Sequence, residues 1–441
     1  MCIFVCLRLL FPCHGNQLGF NTCPALIRTM RLKICPADLG FSPAYPNNSR
    51  FWEINKLLDS FGMLQETITH FSDAALSTPP LNNVARSDCA INPQRPVVQL
   101  PGNRIGCKMA KKRAQPTIVS LFSGAGGLDL GFKKAGFRVA WANEYDKSIA
   151  QTIKANFPRT TLDQRSIIDI PSSEVPDCDG IIGGPPCQSW SEAGARRGIT
   201  DHRGQLFFQY IRLLKDKQPK FFLAENVSGL LFGRNSTAFR NILEEFDKVG
   251  YRVEKFLLNA ADYNVPQDRE RVIIVGYLKT LGLQFSPPKK VAAKLSLKDA
   301  IWDLRKTAVP AVGPNRANIF CKVANHEYAT GGFSFIYMSR NRVRGWHDQS
   351  FTIQAGARHA PIHPSAPKMI QVGPNKRIFV RGQEHKYRRL SVRECARIQT
   401  FPDEHQFVYS SVMDGYKMIG NAVPVAFANA LAKKIKRDLG W

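Results

Sequence analysis

Several short runs in this 441-residue chain hold side chains that could do chemistry together. The run Gly183-Gly184-Pro185-Pro186-Cys187-Gln188-Ser189-Trp190-Ser191 places a thiol directly after a stiff diproline. The thiolate is the reactive form of cysteine, so Cys187 is a candidate nucleophile, which needs an acid or base close by. Ala224-Glu225-Asn226-Val227 offers a carboxylate at the end of an apolar stretch. Gln267-Asp268-Arg269-Glu270-Arg271 offers two guanidinium groups at alternate positions, which in extended backbone face the same way. Phe122-Ser123-Gly124-Ala125-Gly126-Gly127-Leu128 is a glycine loop of the kind that lets a nucleotide approach at a helix start. Downstream, Glu144 is placed to hold ribose hydroxyls, and Tyr145 to lie on an adenine face. Taken singly, each run has an ordinary reading: a buried small thiol, a surface ion network, a dinucleotide loop. Their joint presence favours one catalytic site.

The elements that must position these groups follow from periodicity. Apolar runs predict strands at 117–122, 138–142, 180–182, 220–224, 252–258 and 271–277. Between them, apolar faces such as Leu128-Phe132-Ala135 and Ile149-Ile153-Phe157 predict helices, with further helices at 204–215, 236–248 and 422–436. This βαβα alternation predicts an α/β, doubly wound, Rossmann-like sheet with helices on both faces. Ligands in such a sheet collect beyond the carboxyl ends of its strands, where Cys187, Glu225 and the glycine loop would all stand. Gly420-Asn421-Ala422-Val423-Pro424 is expected to open the terminal helix at the same site. After about residue 285 the pattern breaks into short apolar pieces with many arginines, expected to be a second, smaller, irregular domain.

Composition bounds the partners. Lys and Arg number 61 against 35 Asp and Glu, a formal charge of +26, which points to a polyanion such as nucleic acid. Seven of the 11 cysteines precede residue 109, and the later four, Cys178, Cys187, Cys321 and Cys395, lack metal-ligand spacing. Neither a zinc site nor a disulfide framework is expected. The apolar start carries Arg8 and has neither the flanks of a signal peptide nor the length of a membrane span, so a cytoplasmic location is expected. The texture changes at Met109, and residues 1–108 are expected to be an over-extended start or a poorly ordered leader. The expected organisation is then a catalytic and cofactor-binding domain over 109–300, a recognition domain over 301–411, and a 412–441 segment returning to the first.

In order and spacing, FSGAGG, NEYD, GGPPCQSWS, AENV, QDRER, RRLSVRECARIQTFPD and GNAVP resemble the successive motifs of the DNA cytosine-5 methyltransferases. The likeness spans about residues 116–436. It is closer still to the HaeIII-type, GGCC-recognising modification enzymes through FSGAGGLDLGF, CDGIIGGPPCQSWSE, FFLAENV, MSRNRVR and DGYKMIGNAVPV. The resemblance implies S-adenosyl-L-methionine as methyl donor, double-stranded DNA as substrate, a monomer, and a cognate restriction endonuclease. It implies Cys187 as the nucleophile toward a flipped cytosine, Glu225 at the ring nitrogen and amino group, Arg271 at O2, and Arg269 supporting the loop or a phosphate. It also implies a donor site built from Phe122, Ser123, Gly124, Gly126, Gly127, Leu128, Glu144, Tyr145, Ser166, Ile167, Pro185, Leu206, Asn421 and Val423. One position departs from the pattern. Ser166 stands where the family usually has an aspartate for the adenine amino group, with Asp163 and Asp169 as neighbouring acids.

Gln188 and Ser189 are expected on a loop that closes over DNA. Arginine pairs well with the O6 and N7 edge of guanine. Arg340, Arg342 and Arg344, at alternate positions, and Arg358 are the candidates for base readout. Rival readings are a transfer-RNA cytosine methyltransferase, a catalytically idle DNA-binding regulator, and a nicotinamide dehydrogenase. The recognition domain, which resembles a restriction-modification one, disfavours the first; intact Cys187, Glu225 and Arg271 disfavour the second; and a dehydrogenase has no use for Pro185-Pro186-Cys187.

Overall fold

Strand alternation decides which side of the sheet each residue feeds. In a computed structural model, which describes residues 114–186, 202–232 and 235–441, seven strands form one sheet in the order β3-β2-β1-β4-β5-β7-β6. These are β1 Thr117–Leu121, β2 Arg138–Asn143, β3 Thr161–Asp163, β4 Gly180–Gly183, β5 Phe221–Val227, β6 Tyr251–Asn259 and β7 Glu270–Leu278. Ile118, Ile182, Phe221, Leu223 and Ile273 enter one core; their chain neighbours Val119, Ile181, Phe222, Ala224 and Ile274 enter the other. That is the period of two expected of strands buried on both faces.

Helices α1 Gly127–Lys134 and α8 Val425–Asp438 cover the first face, supplying Phe132, Phe427, Leu431 and Ile435. Helices α3 His202–Lys217 and α4 Asn235–Lys248 cover the second, supplying Phe207, Tyr210, Leu214 and Phe246. A Cβ on Gly131 would collide with Ala428, so α1 and α8 touch along their backbones. The C-terminal helix thus returns to the first helix of the sheet.

The expected doubly wound α/β architecture is the observed one. Strands β1 to β5 are parallel, and the order reverses at β1, which pairs with β2 on one side and β4 on the other. Strand β7 inserts antiparallel between β5 and β6. This reversal matters for chemistry. It brings the amino end of β7 to the carboxyl end of β5, with Arg271 opposite Val227.

The sequence reading missed or misplaced some elements. Strand β3, three residues long, is too short to show a period. The expected terminal helix 422–436 is α8, which starts three residues later, and a further helix before it, α7 Val412–Asn421, was not expected. Pro424 has no N–H to donate and keeps the preceding residue out of helical backbone, so the chain turns at Ala422 and Val423. Gly420 and Asn421 therefore end α7 and do not open α8.

Between β7 and α7, regular structure is sparse: α5 Leu297–Ile301, α6 Val392–Ile398, and the strand pairs Val309–Pro310 with Glu327–Tyr328 and Ile370–Gly373 with Lys376–Ile378. A capping box fixes the start of α6, with Ser391 and Glu394 each bonding the other's backbone. Its Glu394 is fully buried, and the Arg388 guanidinium, bonded to both its oxygens, holds the acid below its ordinary value against the cost of burial. A small separate core of Tyr337, Val343, Ile362, Met369 and Tyr387 lies within this stretch. Residues 1–108, Cys187, Gln188 and Ser189 lie outside the described residues.

Candidate active site

A cavity of about 870 Å³ opens beyond the carboxyl ends of β1, β2, β4 and β5. That is within the range of roughly 300–1,000 Å³ usual for small-molecule sites. Its walls include Phe122, Ser123, Gly124, Gly127, Leu128, Glu144, Tyr145, Ser166, Ile167, Pro185, Leu206, Asn421 and Val423. Gly126 is not on the wall: it is left-handed, at φ 77°, and a Cβ there would run into the Phe157 ring. Gly127 lines the cavity and has no room for a Cβ against the Val423 carbonyl. These two glycines let the start of α1 approach the Phe157 ring and the Ala422–Val423 turn.

The acids of the cavity are in different states. Glu144 accepts from the backbone N–H of Gly124 and of Asp146, each at 2.8 Å, and burial raises its pKa. Asp146 caps α2 (Lys147–Asn156) through the Ser148 N–H and pairs with Lys417 of α7. Asp129, in the first turn of α1, is 1% exposed, and its Oδ2 has no partner. Burial pushes it up to about 7, with the Glu144 charge adding to the rise and a Ser120 hydrogen bond opposing it. Asp163 turns away to Arg165, which holds both its oxygens. Ser166 uses its hydroxyl to accept the Ile168 N–H, while exposed Asp169 lines the cavity. The glycine loop itself is braced from behind: buried His405 donates from Nε2 to the Ala125 carbonyl at 3.0 Å.

At the cavity's far side Glu225 and Arg271 form an ion pair, Oε1 to Nε 2.8 Å, with side chains 10% and 11% exposed. They are diagonal neighbours across β5 and β7, on one face of the sheet. Asn226 donates to the Pro185 carbonyl at 2.9 Å, tying the diproline that precedes Cys187 to the end of β5. Gly184 sits against the Glu225 carboxylate, where a Cβ would be 3.3 Å from Oε2. Arg269, like Arg271, lines the cavity, but its bonds run to backbone. It is 1% exposed and donates to the carbonyls of Ile353, Gly420 and Ala422 at 2.9–3.0 Å.

A profile of the C-5 cytosine-specific DNA methylases matches residues 116–437. The chain belongs to that family. It is a DNA (cytosine-5-)-methyltransferase, and such methylases generally use S-adenosylmethionine. The chain is 56% identical to the Type II methyltransferase M.FnuDI of Fusobacterium nucleatum over 326 residues, 73% of this chain and 94% of that one. It is also 56% identical to M.NgoPII of Neisseria gonorrhoeae over 327 residues, 73% and 96% of the two chains. Among solved structures, a prophage-encoded E. coli protein described as a DNA modification methyltransferase superposes with a TM-score of 0.56 at 25% identity, over 74% of this chain and all of that one. A Spodoptera frugiperda Dnmt2 variant shares the fold, with a TM-score of 0.54 at 20% identity over 73% and 99% of the chains.

In this methylase the expected DNA-reading arginines sit in different settings. Val343 between them is buried, as alternation requires. Arg340 is exposed, and with Arg342 and His359 it lines a recess of about 240 Å³. Arg342 stacks on the Tyr337 ring and donates to the Tyr337 and Ile336 carbonyls through Nε and Nη2. Its Nη1 hydrogens remain for another acceptor. Arg344 stacks on Phe351, and Arg358 is exposed on a single 3₁₀ turn. Sequence reasoning missed Asp129, Lys417 and Met418 on the cavity wall; Asp129 could have been found as an acid on the apolar face of α1. Among the described residues no His/Cys/Asp/Glu group could hold a metal, and no helix is long and apolar enough to cross a membrane.

Proposed function

We propose that this methyltransferase modifies the inner cytosine of GGCC in double-stranded DNA, as the modification half of a restriction-modification system. The Glu225–Arg271 pair carries the catalytic part of this reading. It stands at the cavity edge, tied through Asn226 to the loop that leads into Cys187. The arginine-lined recess and the likeness of MSRNRVR to the GGCC-specific type support the target.

Cytosine C5 is a poor nucleophile until its aromaticity is broken. The Cys187 thiolate forms a bond to C6, which moves electron density onto C5. Glu225 holds a proton shared with N3 and accepts from the amino group, offsetting the charge that the ring takes up. Arg271 donates to O2 while keeping Glu225 oriented. When bound, S-adenosylmethionine supplies an electrophilic methyl group. Loss of the C5 proton and departure of the Cys187 sulfur then restore the ring. The base must be flipped out of the stack to reach these groups.

The cavity fits such a donor. It has nucleoside dimensions, Glu144 is held by two amides with lone pairs left for ribose hydroxyls, and the Asp129 Oδ2 is unpartnered. Phe122, Ser123, Gly124, Gly127, Leu128, Tyr145, Ser166, Ile167, Pro185, Leu206, Asn421 and Val423 would surround it. Arg269 braces the site from its wall, Gln188 and Ser189 meet DNA beside the nucleophile, and Arg340, Arg342, Arg344 and Arg358 face the target sequence. Residues 109–300 form the catalytic domain, 301–411 the recognition domain, and 412–441 the returning segment, in a cytoplasmic monomer partnered by a cognate endonuclease.

Bisulfite sequencing of DNA from a host expressing the chain tests this reading. Protection should fall on the inner cytosine of GGCC on both strands. Protection at another motif would remove the GGCC assignment, and no protection at any cytosine would remove the catalytic reading.

A further inference from the structure

Three fully or nearly fully buried polar side chains meet where β7 begins: Gln267, Arg269 and Gln399, exposed 0%, 1% and 0%. Gln267 donates to Gln399 Oε1 at 3.1 Å and accepts the Ile353 N–H at 3.0 Å. Gln399 donates to the Ile419 carbonyl at 2.8 Å. Arg269 spans the two sides, with Nη1 on the Ile353 carbonyl and Nη2 on the carbonyls of Gly420 and Ala422. Every acceptor of the arginine is backbone, so the cluster senses where chain segments lie, independent of their side chains.

Those segments face different ways. The strap Ser350–Gln354 is pinned on one side to the β7 approach, through Ser350 with Pro266 and Asp268 and through Thr352 with the Asp268 carbonyl. On its other side Phe351, Thr352 and Gln354 wall the recess that holds Arg340 and Arg342. Gly420 and Ala422 line the large cavity, and a Cβ on Gly420 would strike the backbone of Gln354 and Ala355. Two residues past Arg269, Arg271 holds Glu225. An apolar side chain of similar volume would fill this space without desolvating a charge, and the Arg269 Nε is left with no acceptor. Burial and the nearby Arg271 weigh against the guanidinium charge, and Glu225 supports it. The arrangement costs stability and gives direction.

We propose that Gln267, Arg269 and Gln399 are positioning residues that set the register between the sequence-reading recess and the Glu225–Arg271 pair. A target base seated at Glu225 then coincides with guanines seated at Arg340 and Arg342. The inference rests on reading that recess as DNA-reading, and it makes the cluster a determinant of fidelity.

Steady-state methylation of a GGCC duplex and of duplexes with one base changed tests this in the full chain. Wild type should prefer its target strongly. In Arg269→Lys and Gln267→Met, kcat/KM on the target should fall on the order of 100-fold, mostly through kcat, and the target-to-variant ratio should fall about tenfold. Thr352→Val, which removes one outer pin and serves if the buried variants do not fold, should lower the ratio about threefold. An equal loss on all duplexes, with the ratio unchanged in folded variants, would overturn the register. A wild type indifferent to sequence would instead overturn the reading of the recess on which it rests.

Discussion

The large cavity at the strand ends and the arginine recess are built on opposite principles. The cavity is made of strand ends and the turns that follow them, so residues near one another in sequence are also neighbours in space: Phe122 to Leu128, Glu144 to Asp146, Gly183 to Pro186. Its charged groups are held by short, directed bonds such as Glu225 to Arg271 and Glu144 to two amides. The recess is made of stretches with almost no ladder: its Arg342 rests on the Tyr337 ring and two carbonyls, and its wall residue Phe351 carries Arg344. Chemistry that is the same for every cytosine can sit on a rigid sheet. Reading a sequence needs donors at positions that a sheet edge does not offer.

Removing a group from the chemical side should abolish turnover and leave DNA binding largely intact, because phosphate contacts carry most affinity. Cys187→Ser should lower methyl transfer at least about a thousandfold in a tritiated-methyl assay, with duplex affinity by fluorescence anisotropy little changed. Glu225→Gln should cost about 10²–10⁴ in kcat, the range for a lost proton-handling group.

The cavity also predicts a pH-dependent stability. Asp129 is raised by burial from an ordinary 3.8 to about 7, so the fold favours its protonated form. Its contribution is complete in acid and is lost as pH climbs through the folded value. Denaturant titration should therefore show Asp129→Asn gaining about 2–3 kcal/mol relative to wild type between pH 5 and pH 8. A difference independent of pH would mean that the carboxylate is not buried as described.

A lesion in the recess should act on discrimination. Arg342→Ala should cost on the order of 1–3 kcal/mol at one guanine in competition between duplexes, while a phosphate contact would weaken all sequences alike and flatten the salt dependence. The smallest effect expected is from the leader: a chain beginning at Met109 should methylate as the full chain does, measured side by side at equal concentration. Loss of activity would make residues 1–108 part of the working enzyme.

The same contrast explains what was legible. Strands buried on both faces announce themselves as apolar runs, so the sheet and the carboxyl-end site could be read before any coordinates. The Glu225–Arg271 contact could not, because it depends on β7 entering antiparallel, and nothing in the run Glu270–Leu278 encodes direction. Arg269 and Arg271 line one cavity, as alternation suggested, but nothing in the sequence signalled that Arg269 would be bonded to carbonyls far along the chain. Pro424 marked the start of the terminal helix in the sequence, but the ten-residue helix before it, Val412–Asn421, was not read. Asp163 was a candidate acid beside Ser166 until Arg165, two residues on, claimed it.

The most direct test of the account is covalent trapping. A GGCC duplex carrying 5-fluorocytosine at the inner position has no C5 proton to lose, so turnover should stop with the enzyme bonded to the base. Incubated with S-adenosylmethionine, wild type should give a denaturation-resistant one-to-one adduct, with the peptide containing Cys187 carrying the nucleotide by mass spectrometry. Cys187→Ser should give none. An adduct at any other residue, or an active enzyme that forms no adduct, would contradict the role assigned to Cys187.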